Sequence, residues 1–538
     1  MGGISIEIQS VFYLWKSFYL NGRIWWIKNV TSNQEYKDQG QMPLKLISFI
    51  ALLILCSLCQ AQLLNKKDRP PNFILIYTDD MGYADAGPFG NPLIATPAID
   101  AMVEKGQTWT NFYSSAPVCT PSRGALLTGK LPVRTGLYGN QISVFFPGSK
   151  RGLPHSENTI AEVFQQENYA TGMFGKWHLG DARTYYPTRH GFDEWLGIPY
   201  SNDMDWEVDG INIGNIFNPP QKIGEKWALV TPKIMEMVYQ PNITDWQVPL
   251  VHSRRESHGV FKDRELERPA KQKVITQRYT NESINFIRRS VRENQPFFLY
   301  LAHSMPHVPL FRSTDFEGKS GAGIYGDVIE EIDWSVGSIL KEIKDLEIDD
   351  TTYVVFTSDN GPWLLYRDHA GSAKPLRNGK ATTFEGGMRV MTVFTGPDIR
   401  SGITKELGMQ TDLFVTFAKL AGFETPKTAT DSFDLSQTLK FNRSSGREFV
   451  PYYSGSELRA FRYKNHKIHF ITKGAFQEPP KRVVHDVPLL MDLTLDVGEK
   501  IDISKSNPAI LAEVILQAER FKDSITVQPS IVDMQFGE

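Results

Sequence analysis

Short unbroken apolar runs punctuate the chain at Phe73 to Thr78, Phe297 to Leu301, Tyr353 to Thr357 and Val390 to Thr395. Rich in β-branched and aromatic side chains, they predict strands buried on both faces. Between them the spacing becomes helical. From Tyr325 to Leu346 the residues Ile329, Ile332, Val336, Ile339, Leu340 and Ile343 make one apolar stripe. Glu157 to Asn168 and Ser283 to Arg292 repeat that pattern. Strands alternating with helices predict an α/β fold, a large and mostly parallel mixed sheet flanked by helices. From Asp203 to Lys273 the periodicity fades into scattered Trp, Pro and charge, which predicts a large loop insertion. After Gly422 it changes again. Phe461 to Thr472 and Leu489 to Leu495 read as antiparallel strands, and Pro508 to Lys522 as a closing helix. A smaller C-terminal α+β domain is expected over 431–538, after a large domain over 62–430.

Composition narrows the setting. The 538 residues carry a formal net charge of −3, so bulk electrostatics favours neither nucleic acid nor a membrane surface. Any anion must be recognised locally. Met42 to Lys45 leads into an apolar run from Leu46 to Cys59 that ends at Gln60-Ala61-Gln62. The run is about 14 residues against the roughly 20 of a membrane span. It reads as a signal peptide over 42–61 rather than a stable membrane span, and residues 1–41 then read as a gene-model extension. Removing that segment takes Cys56 and Cys59 with it and leaves Cys119 alone, without an internal disulfide. The N-x-S/T acceptors at Asn242, Asn281 and Asn442 fit passage through a secretory pathway, lysosomal or extracellular.

Candidate chemistry clusters after the strands. Asp79-Asp80 follows the first run and Asp359-Asn360-Gly361 follows the third, at carboxyl ends where open α/β sheets build their crevices. Either pair alone would be read as a turn cap. Together they offer three carboxylates and an amide oxygen to a hard cation, Ca²⁺ or Mg²⁺. Cys119-Thr120-Pro121-Ser122-Arg123 precedes a helical stretch, which places Cys119 at or before a helix N-terminus and Arg123 one turn on. In Gly175-Lys176-Trp177-His178 an extended backbone would send Lys176 and His178 to one side. His303-Ser-Met-Pro-His307 follows another strand, and Gly379-Lys380 opens a glycine-bracketed loop ending at Arg389. Singly, each has an ordinary structural reading.

In this order and register, Asp79-Asp80, Cys119-x-Pro121-x-Arg123, Gly175-Lys176-Trp177-His178, His307, Asp359-Asn360-Gly361 and Gly379-Lys380 resemble the sulfatase family. The match looks closest to its arylsulfatase A and N-acetylgalactosamine-6-sulfatase branch and runs from about Pro71 to Gly422. Met491-Asp492-Leu493 and Asp496-Val-Gly-Glu499 resemble that family's C-terminal region. The resemblance implies an alkaline-phosphatase-like scaffold with a catalytic domain over 62–430. It also implies that Cys119 is converted to formylglycine by a formylglycine-generating enzyme, the hydrated aldehyde supplying the attacking oxygen. Asp79, Asp80, Asp359 and Asn360, with residue 119, would hold one Ca²⁺, and Mg²⁺ is the weaker candidate. Arg123 would steady the modified residue, while Lys176, His178, His307 and Lys380 surround the sulfate, with Ser201 touching the site. The substrate would be a sulfated small molecule or glycan, and a homodimer stays open. With a divalent cation the site would carry a formal charge of about +2 and attract a small anion. A phosphomonoester hydrolase would call for a histidine-rich ligand set for two metals; a non-catalytic glycoprotein would be expected to have lost a site residue. Neither departure is seen. Disulfides typical of the mammalian arylsulfatase A branch are missing, which leaves the substrate open.

Overall fold

The computed structural model describes residues 69–537 apart from 218–221, 258 and 477. The extension, the signal-like segment, Cys56 and Cys59 lie outside these residues. Ten strands form the main sheet. Its first four are β1 (Asn72–Thr78), β2 (Gln107–Tyr113), β3 (Ala170–Gly175) and β4 (Glu194–Gly197). A separate two-residue pair, β5 (Glu207–Val208) and β6 (Ile211–Asn212), follows. The main sheet continues with β7 (Leu250–Ser257), β8 (Val260–Glu267), β9 (Phe297–Ala302), β10 (Thr352–Ser358), β11 (Thr392–Thr395) and β12 (Gly402–Met409).

Strand order is β12-β2-β11-β10-β1-β9-β3-β4-β7-β8. The central run β10-β1-β9-β3-β4 is parallel throughout. Strand β11 is antiparallel to both its neighbours, and β7 and β8 continue antiparallel at the far edge. The alternation within β1 explains its unbroken apolar run. Ile74 and Ile76 feed one core while Phe73, Leu75 and Tyr77 feed the other, each face being covered by helices. Helices α1 (Pro97–Lys105), α2 (Cys119–Thr128), α3 (Ile160–Gln166), α4 (Ile223–Tyr239), α5 (Ile275–Arg292), α6 (Gly323–Asp345) and α7 (Asp412–Ala421) follow in chain order. Of these α1, α5 and α6 close the first core, and α2, α3 and α7 the second. A fully buried Ile or Phe in either contributes about 1.5–3 kcal/mol. The expected α/β architecture is present.

The stretch expected to be loops is not. Between Asp203 and Lys273 lie β5, β6, the 17-residue helix α4 and the β7–β8 hairpin that extends the main sheet. Two features hid them. Pro232 stands inside α4, and that helix buries only Val230, Met237 and Val238. At the sheet edge β8 has charged residues on both faces and no buried position, so neither helical nor strand periodicity could emerge.

Antiparallel strands β13 (Phe449–Ser454), β14 (Glu457–Tyr463), β15 (His466–Thr472) and β16 (Val483–Asp492) form a second sheet in that order. The run from Phe461 to Thr472 is therefore two strands joined at Lys464-Asn465, and the last strand lies earlier than Leu489 to Leu495. Helix α8 (Pro508–Asp523) packs Leu511, Val514, Ala518 and Phe521 onto this sheet, in a core that also holds Tyr113, Met388 and Met409.

Candidate active site

Four adjacent parallel strands, β10, β1, β9 and β3, end side by side, with Thr78 paired to Ser358 and both Tyr77 and Gly175 to Ala302. The next residues in the chain are therefore neighbours in space: Asp359-Asn360, Asp79-Asp80, His303 and Lys176. The turn after β3 requires glycine. Gly175 has φ +124, and a Cβ there would lie 1.7 Å from the Ala302 carbonyl oxygen. From the other side of the rim, α2 begins at Cys119 itself, its backbone preceded by extended Val118.

One oxygen or sulfur atom from each of Asp79, Asp80, Cys119 and Asp359 lies within 4.8 Å of the others. The Cys119 thiol donates to Asp79 Oδ1 at 3.4 Å. Each carboxylate faces at least one cation. Lys176 Nζ lies 2.5 Å from Asp79, Lys380 Nζ 2.7 Å from Asp80, and Arg123 3.0 Å from Asp359 and 3.4 Å from Asp79. Arg123 also donates to the Lys176 carbonyl at 2.9 Å, so it fastens α2 to two strand ends. Asn360 donates through Nδ2 to Asp80 at 2.7 Å, while its buried Oδ1 has no hydrogen-bond partner among the described residues. The expected acids and amide are thus together, and the amide oxygen is unspent.

Burial penalises Asp79, but Lys176, His307, Arg123 and Lys380 outweigh it and hold its carboxyl well below the usual range. Burial and the Asp79 charge push Asp359 the other way, to about 7, because its one strong partner, Arg123, is shared. The two carboxyls part in this way because like charges crowded into one buried cluster oppose each other's ionisation. Burial also drives the Cys119 thiol well above its ordinary value, against Lys176 and Lys380.

His307 donates from Nδ1 to the Val308 carbonyl at 2.6 Å, which leaves Nε2 facing Asp80 at 3.5 Å. Burial and Lys380 lower its pKa. Ser201 accepts from Lys176 at 3.0 Å and lies 3.3 Å from His307 Nε2. His178 departs from the expected extended geometry. Its φ is +61, so the chain turns there and the simple alternation with Lys176 fails. The imidazole nevertheless stays in the electrostatic reach of Lys176, Arg123 and Asp79. Its Nε2 bonds the Phe145 carbonyl at 2.8 Å, and buried Nδ1 has no partner among the described residues. His303, by contrast, is a core residue bonded to Ser335 at 3.2 Å. Asn242, Asn281 and Asn442 are exposed and far from this rim in sequence; Asn442 uses Oδ1 to accept from Gln107.

Sequence reasoning missed Trp363. Its ring centroid is 5.3 Å from that of His307, and the Lys380 ammonium sits 4.3 Å above its face. Its place three residues after Asn360 was the only signal.

A buried thiol ringed by three carboxylates and three fixed positive side chains is an arrangement suited to a small tetrahedral oxyanion. Residues 71–423 match the family model described as sulfatase, and residues 445–536 that of the C-terminal region of aryl-sulfatase. Arylsulfatase A of Bos taurus is 34% identical over 486 residues, covering 86% of this chain and 90% of that protein. Human N-acetylgalactosamine-6-sulfatase is 36% identical over 412 residues, covering 75% and 72%. The crystal structure of Ps i-CgsB in complex with k-i-k-neocarrahexaose aligns at TM-score 0.66 and 28% identity, covering 86% of this chain and 94% of that one. The chain belongs to the sulfatase family. It is a sulfuric ester hydrolase.

Proposed function

We propose that the protein releases inorganic sulfate from aryl or carbohydrate sulfate monoesters, with residue 119 matured from cysteine to formylglycine and one Ca²⁺ beside it. The observation that carries this is the meeting of Asp79, Asp80, Asp359 and Cys119 within 4.8 Å, each acid matched to Lys176, Lys380 or Arg123. The donor set fits the ion: three carboxylates, and an amide oxygen buried without a partner. Asp79, Asp80, Asp359 and Asn360 would hold it. Mg²⁺ is less suited, because it keeps several waters and this rim is buried. When bound, the ion withdraws electron density from the sulfuryl oxygens. Formylglycine at position 119, once hydrated, would supply the two hydroxyls that attack on sulfur and release of sulfate require.

The protein's own groups do the rest. Lys176 and Lys380 pair with sulfate oxygens and take up charge that grows as the ester bond breaks. Arg123 keeps Asp359 and residue 119 in register. His307, with Nδ1 committed to a carbonyl, has only Nε2 to carry a proton to the departing alcohol, and the charge of a bound sulfate offsets the lowering by Lys380. His178 has a bare Nδ1 lone pair, suited to accept a proton from residue 119. Ser201 orients Lys176 and His307. The chain's route is secretory, lysosomal or extracellular, with Asn242, Asn281 and Asn442 as glycan acceptors and the formylglycine-generating enzyme as a transient partner. A sulfated glycan is a fitting substrate, since the related Ps i-CgsB was solved with an oligosaccharide.

Mass spectrometry of the peptide bearing residue 119, from a host able to make formylglycine, tests this together with sulfate release from an aryl sulfate. Conversion and turnover are expected. An unmodified thiol with undiminished turnover would overturn the nucleophile; no turnover by the converted protein would overturn the reaction.

A further inference from the structure

A cleft of about 580 Å³ opens between the start of α2 and the second sheet, within the roughly 300–1,000 Å³ of small-molecule sites. One wall is formed by Val118 and Ala381, the chain neighbours of Cys119 and Lys380. The facing wall comes from β14, through Arg459, and from the β15–β16 loop, through Lys473, Phe476 and Arg482. Phe476 joins this wall to the reacting rim. Its ring lies 5.1 Å from Trp363, the residue that packs on His307 and beneath Lys380. A substrate whose sulfate lies against residue 119 would have its next units directed along this cleft.

The walls have a definite chemistry. Glu457 accepts from Arg459 at 3.0 Å and from Arg482 at 2.7 Å, so the trio keeps one positive charge in excess. Lys473 is exposed and has no hydrogen-bond or ion-pair partner among the described residues. On a chain of net charge −3 these groups concentrate positive charge at one mouth. Asn140, Ser143, Ser454 and Ser456 add hydroxyl and amide groups, and the almost fully buried Tyr138 and Tyr453 complete this part of the lining. No Leu, Ile or Met lines the cleft among the described residues; its apolar lining is Val118, Phe476 and small Ala and Pro side chains.

Resting on the proposed reaction, we infer that this cleft is a second subsite, selecting a sulfated oligosaccharide that bears a further anionic group, carboxylate or sulfate. Lys473 and the Arg459–Glu457–Arg482 trio read that further charge. It is a specificity site, distinct from the groups that touch the scissile ester.

Calorimetry on the Cys119→Ala protein tests it without turnover. The probes are a tetrasaccharide with one terminal sulfate and otherwise neutral sugars, and two counterparts carrying an added uronate or an added sulfate. At least one doubly charged probe should bind roughly tenfold tighter than the singly charged one. Adding Lys473→Ala and Arg482→Ala should erase that preference, and Lys473→Arg should keep it. Both substituted side chains are exposed, and an unchanged thermal midpoint verifies the fold. Equal affinity for all three probes, or a preference that survives the double substitution, overturns the subsite. Failure of the unsubstituted, converted enzyme to release sulfate while the preference persists would overturn only the reaction.

Discussion

Lys176 and Lys380 are buried, each pinned to a different carboxylate, so neither can swing away from the rim. Replacing Lys380 by Ala would remove one cation from the proposed oxyanion site and leave Asp80 without its closest cation. A fall in kcat/KM of about 100-fold or more is expected from steady-state kinetics on an aryl sulfate. His190 makes a different prediction. Buried, stacked between His155 and Trp177, and with neither ring nitrogen hydrogen-bonded among the described residues, it is held neutral, its pKa lowered by burial to about 3. The unfolded chain takes up a proton near 6.5, which the folded chain refuses until far lower pH. Stability from this residue is thus whole above 6.5 and lost as pH falls below it, by about 2 kcal/mol at pH 5. His190→Phe should shrink the drop in Tm between pH 7 and pH 5. At this scale the sequence was informative where motif residues follow strands, as with Asp79, Asp80 and Asp359. It was silent on His190 and Trp363, because their roles come from packing between segments far apart in the chain.

Among elements, the loop carrying Lys380 is tied to the second sheet by charges buried inside the protein. Lys467 on β15 lies 3.0 Å from Glu385 and 2.9 Å from Glu499, and His469 lies 2.7 Å from Glu499. Tyr113 and Tyr452 both donate to Glu385 at 2.7 Å. Burial opposes ionisation of Glu385, yet Lys467, Arg389 and Arg462 pull its pKa down to about 2. Lys467→Met would strip both buried carboxylates of their shared ammonium, leaving Glu385 to Arg389 and Arg462 and Glu499 to His469, at a cost of about 3–5 kcal/mol. Thermal unfolding should show it, with partial recovery when Glu499→Gln is added. Nothing in the spacing of Glu385, Lys467 and Glu499 announces this network, since each sits in a different element. The central strands were legible because burial on both faces leaves an unbroken apolar run; α4, β7 and β8 were not, because edge position and Pro232 erase periodicity.

For the whole molecule, the proposed Ca²⁺ would bind the folded state alone, as its ligands come from the segments that follow β1 and β10, some 280 residues apart. Titrating Ca²⁺ into chelated protein should raise Tm progressively, by about 3 kcal/mol of added stability at a hundredfold excess over Kd. Asp359→Asn should flatten that response. Folding has one more effect. Cys119 is only 1% exposed, with α2, Lys176 and Lys380 closed around it, so a maturation enzyme could not grasp it in the finished protein. If residue 119 matures as proposed, its oxidation would have to compete with the collapse of the sheet during synthesis, and a molecule that folded first would be locked out. Specific activity of a preparation would record the outcome of that race, and incubating folded protein with the maturation enzyme would recover none of it.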